Sequence, residues 1–103
     1  MEWQEARNRS LEHWRTLQAS LGELDEVDLL REINVVHDLC LKATEQAHGD
    51  LHHCNYCIGF QRFGGCQGIS LKMSEAVVEK DAQRLRSLVA EFIDQLESLE
   101  IPR

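Results

Sequence analysis

Apolar residues recur along the chain at helical spacing. Val78, Ala82, Leu85, Val89, Phe92, Leu96 and Leu99 are separated alternately by four and three positions, and Leu88 and Ile93 widen the stripe. That arithmetic is an a/d seam on one side of a helix. It predicts one long C-terminal helix, starting at 71–75 and ending at 99. Ser70 or Ser74 is a candidate cap, because a side-chain oxygen there takes an otherwise unpaired amide of the first turn, and Pro102 marks the end. Leu29, Ile33, Val36, Cys40, Ala43 and Ala47 predict a middle helix, with Asp25 as its cap and Gly49 as its stop. Leu11, Trp14, Leu17, Leu21 and Leu24 give a less regular first helix that breaks near Gly22.

No strand pattern competes with these three. The expectation is an all-α fold: a single domain over residues 1–103, an antiparallel bundle of three main helices. Helices 1 and 2 occupy 1–50, a Cys/Gly-rich metal-binding segment covers 51–69, and the C-terminal helix covers 70–103. The even seam over 78–99 also makes a homodimer through that helix an expectation.

Composition changes the picture in the centre. The net charge is −7, yet residues 51–69 contain no acid and only one basic residue, Arg62. The same stretch holds three of the four Cys, four of the six Gly and three of the six aromatic residues. Two acidic flanks therefore enclose an apolar, cysteine-rich centre. A chain this acidic, with no local basic face, argues against nucleic acid as a partner. No apolar run of 18 residues exists, and charge recurs every few positions through residues 1–20. Neither a membrane span nor a signal peptide is expected, and the expected location is cytoplasmic. Thiols stay reduced there, so four cysteines read as metal ligands before they read as disulfides.

Cys54 and Cys57 form a C-x-x-C half-site, whose two sulfurs can reach one tetrahedral ion. Gly59, Gly64 and Gly65 permit the turns that bring Cys66 round to the same point, and Cys40 completes the set from the middle helix. His37, one helical turn before Cys40, and His52 and His53, beside Cys54, are alternative ligands. Four thiolates on a divalent ion or cluster leave about two negative charges, for which Arg62 and backbone amides are suitable neighbours. His13 and His48 read as surface residues. Abundant imidazole points to zinc, and the dry aromatic and glycine setting of 58–65 points to a [4Fe–4S] cluster; the spacing decides neither. Thiol redox chemistry without metal is a third reading.

The phosphate-binding, dinucleotide-binding and common hydrolase motifs are all missing from the sequence. A set of four Cys makes a closed site, so an enzyme is not expected. In outline the arrangement resembles small helical regulators: zinc-binding anti-sigma factors, and WhiB-like iron–sulfur proteins. The former carry a His four residues before the C-x-x-C, where this chain has Asp50; the latter have a longer gap before it and a shorter one after. The resemblance implies only that a Cys-ligated site in a helical bundle can serve regulation through a protein partner.

Overall fold

A computed structural model describes residues 2–34, 38–48 and 67–101, and within these the side chains of 38–40 and 67 are left aside. The described residues form five α-helices and no strand: α1 Trp3–Ser20, α2 Glu26–Ile33, α3 Asp38–Ala47, α4 Gln67–Val78 and α5 Ala82–Glu97. The all-α expectation holds. The helix count differs because two of the three expected helices are each divided.

The middle stripe divides at Asn34. Asp25 caps α2 as the sequence suggests, its Oδ1 accepting from the Asp28 amide at 2.8 Å. At the other end, the Asn34 side-chain amide donates to the Leu30 carbonyl at 2.7 Å while its backbone amide donates to the same oxygen at 3.1 Å. A short amide side chain offers the backbone a local alternative to continuing the helix. Asn34 Nδ2 also reaches Ser74 Oγ at 3.3 Å, tying the end of α2 to α4. α3 then ends at His48, which takes a left-handed conformation (φ 49°) one residue before the Gly49 stop expected from the sequence.

The C-terminal seam divides at 79–81. Lys80 is left-handed (φ 60°), its amide donates to Val77 O at 3.1 Å, and the Asp81 amide donates to Ala76 O at 2.9 Å. These two bonds are the Schellman arrangement that ends a helix, with Lys in the place usually taken by Gly. Asp81 begins the next helix, since its Oδ1 accepts from the Arg84 amide at 3.0 Å. Neither Ser70 nor Ser74 caps a helix; both lie inside α4, which starts earlier, at Gln67.

The core closes on Trp14. Its ring stands edge-on to Phe92, with centroids 5.0 Å apart and planes at 82°, a favoured aromatic geometry. Leu11 and Leu17 of α1, Ile33 of α2, Met73 and Val77 of α4, and Leu85, Val89, Ile93 and Leu96 of α5 complete it. α1 and α5 run in opposite directions: Arg7 reaches the Leu99 carbonyl at 3.3 Å, while Trp14, further along α1, meets Phe92, further back along α5. The seam of 78–99 is thus filled from within the chain. Of its seven residues, Leu85, Val89, Phe92, Leu96 and Leu99 are buried, and only Val78, 60% exposed, and Ala82 are outside. No helix among the described residues is long and apolar enough to cross a membrane.

Candidate metal centre

Two described helices bracket the cysteines. Cys40 falls in α3, on the same helical row as Ala43 and Ala47, three and seven positions further on. Cys66 immediately precedes Gln67, the first residue of α4. The amides of a helix's first turn have no partners within the helix, and the macrodipole there favours negative charge. A thiolate beside such a terminus is stabilised relative to its thiol. Cys54 and Cys57 come from the stretch between α3 and α4. Cys54, Cys57 and Cys66, the alternative ligands His37, His52 and His53, and Arg62 all lie outside the described residues, as does the side chain of Cys40.

α3 packs principally against α1. Its described inward side chains are small, Ala43 at 0% and Ala47 at 7% exposure, joined by one cation, Lys42 at 7%. Lys42 is one of two polar residues buried in the described core, with Ser10. Its Nζ sits 5.9 Å from the centre of the Trp3 ring and 3.5 Å from Glu45 Oε1, so an ion pair with an exposed partner and a cation–π contact together offset its desolvation. Sequence reasoning passed over this residue, because a lone Lys three positions from a Glu reads as solvated surface. On the outer face, Leu41, Thr44, Glu45 and His48 are exposed.

His13 is not a free surface residue. Its Nε2 donates to the Glu32 carbonyl at 3.1 Å, joining α1 to the end of α2, and its ring stands perpendicular to Trp14 at 5.5 Å. Among the described residues, no group of three or more His, Cys, Asp or Glu is arranged to hold a metal ion. The side chains of the four cysteines expected as ligands from the sequence lie outside that set. Thiolates suit both zinc and iron–sulfur clusters.

Comparison with models of protein families, with curated proteins and with solved structures finds no match.

Proposed function

We propose that the chain is a metal-binding interaction protein: Cys40, Cys54, Cys57 and Cys66 ligate one structural zinc ion, which fastens the 51–69 segment to α3 and so shapes a surface for a protein partner. The observation that supports this reading is the small described inward face of α3, which over 41–48 consists of Ala43, Ala47 and Lys42. Its described apolar contribution to the core is two alanine methyls, worth about 0.8 kcal/mol each when buried, with the aliphatic stem of Lys42 beside them. Ordering a helix costs about 1–2 kcal/mol per residue in backbone entropy, only partly returned by its hydrogen bonds. Structural zinc binding releases about 10 kcal/mol or more, enough to add substantially to what the described packing of α3 supplies. The expected setting is the cytoplasm, as a regulatory or adaptor module with no catalytic role and no nucleic-acid partner.

A [4Fe–4S] cluster at the same four cysteines, with a redox, sensing or cluster-handling role, is favoured by a different observation. α4 begins directly after Cys66, and cluster sulfurs want backbone amide donors of the kind a first helical turn presents. Thiol redox without metal is the remaining reading. Metal analysis of the purified chain separates the three. One zinc per chain in a colourless protein supports the first, and iron with inorganic sulfide in a brown protein supports the second. No metal, with a Cys54–Cys57 disulfide on mild oxidation, supports the third. The zinc reading also requires Cys40→Ser to lose metal about as completely as Cys57→Ser; full occupancy in the Cys40→Ser chain would move the fourth position to His37, His52 or His53.

A homodimer through 78–99 has little to use, since only Val78 and Ala82 of that seam are exposed. The partner we propose is a different protein.

A further inference from the structure

A second candidate site lies at the other end of α4, about 15 Å along the helix from Gln67 at 1.5 Å per residue. There the turn joining α1 to α2 faces the joint between α4 and α5, and a cavity of about 290 Å³ opens between them. Its volume is at the lower edge of the roughly 300–1,000 Å³ of small-molecule sites. Leu21, Leu29, Ala76, Val77 and Leu85 supply apolar lining, and Glu26, Lys80, Asp81 and Arg86 stand among the lining residues as charges.

The four charges are not equivalent. Asp81 already accepts the Arg84 amide as the cap of α5, and Glu26 is the first residue of α2, so both acids sit where a helix N-terminus offsets negative charge. The cations have no such answer. Arg9, Arg15, Arg31 and Arg84 each pair with a carboxylate, whereas Lys80 and Arg86 have no ion-pair partner among the described residues. The carbonyls of Ala76 and Val77, which end α4 beside Lys80, are occupied by the Asp81 and Lys80 amides. Two cations without an ion-pair partner among the described residues thus stand at one cavity with apolar walls.

We propose that this cavity binds a small apolar monocarboxylate, with its hydrocarbon body against Leu29, Val77 and Leu85 and its carboxylate between Lys80 and Arg86. Glu26 and Asp81, lining the same cavity, favour a head group of one negative charge over a dianion. The reading is independent of the cysteines.

Sodium octanoate is the probe, titrated into the isotopically labelled full chain with its metal content as purified. Saturable amide shifts confined to 21–29 and 76–86 are expected, with a Kd of about 1 mM or tighter. Octan-1-ol should bind about fivefold more weakly, as should octanoate to the Lys80→Met/Arg86→Met chain, the effect of one exposed ion pair. Gly22 lines the cavity, and a Cβ built on it meets nothing within 4 Å. Gly22→Leu should therefore leave the helical circular dichroism intact while abolishing the shifts. Absence of saturation, shifts scattered over the whole surface, equal affinity for octan-1-ol, tighter binding of octylammonium, or unchanged binding by the double variant would each overturn the proposal.

Discussion

α5 and α3 both pack against α1, and they bring different things to the contact. α5 places Leu85, Val89, Phe92, Ile93 and Leu96 in the core, where each side chain of this size is worth about 1.5–3 kcal/mol on burial. From α3 the described side chains add two alanines and the stem of Lys42. Both segments carry a helical stripe in the sequence, so periodicity reports which face turns inward and not how firmly it is held. The proposed ligand Cys40 sits on the helix whose described side chains bring less to the core, the arrangement expected where ligation adds to burial in fastening an element.

The sharpest way to break this contrast is to remove the proposed metal. Chelation should take hydrogen-exchange protection in α3 to near zero while α1 and α5 keep theirs, because local opening follows the local store of contacts. Equal loss in all three helices would mean that the site holds the entire bundle, and no loss in α3 would sink the zinc reading.

Next in size is Trp14→Ala, which should cost about 3–5 kcal/mol in urea denaturation by emptying the centre of the α1–α5 contact. A loss below about 1 kcal/mol would show that Phe92 and its neighbours collapse into the space, and that the strong side of the comparison is weaker than its burial suggests.

Lys80→Gly should act in the opposite direction. A left-handed conformation costs a non-glycine residue roughly 1–2 kcal/mol, and the extra freedom of Gly in the unfolded chain takes back about 0.4–1. A net gain of about 1 kcal/mol, or roughly 4–8 °C in Tm for a domain near this size, is expected. Ser10→Ala is the smallest effect. Ser10 is 2% exposed and its Oγ has no hydrogen-bond partner among the described residues. Deleting that hydroxyl should be neutral or stabilising by up to about 1 kcal/mol. A clear loss in thermal melts would mean that the hydroxyl serves a bond made elsewhere.

Much of the fold is legible in the sequence, and the misreadings have identifiable causes. The core places of Leu17, Ile33, Val89 and Phe92 follow from spacing and the Asp25 cap from residue type, whereas spacing puts Trp14 on the stripe without telling core from interface. Asn34 and Lys80 do not announce themselves as breaks, because neither is Gly or Pro. Across 79–81 the seam arithmetic continues by coincidence: Val78 and Ala82 keep the four-residue step although a turn separates them and both face water. The true inward stripe of α4, Ile69, Met73, Ala76 and Val77, has its own helical spacing, hidden by counting from Val78. The candidate cysteines are legible as a set through type and spacing. Their neighbour Lys42 is not, since its burial depends on Trp3, 39 positions earlier.

The pairing of α1 with α5 joins residues 92 positions apart at Arg7 and Leu99, and this sets an order of events during synthesis. Trp14 is made early and stays without Phe92 until the last helix emerges, so the growing chain lacks the partner of its central tryptophan for most of its translation. By then Cys40, Cys54, Cys57 and Cys66 have all been made. The four proposed ligands are thus complete before the helix that seals the core exists.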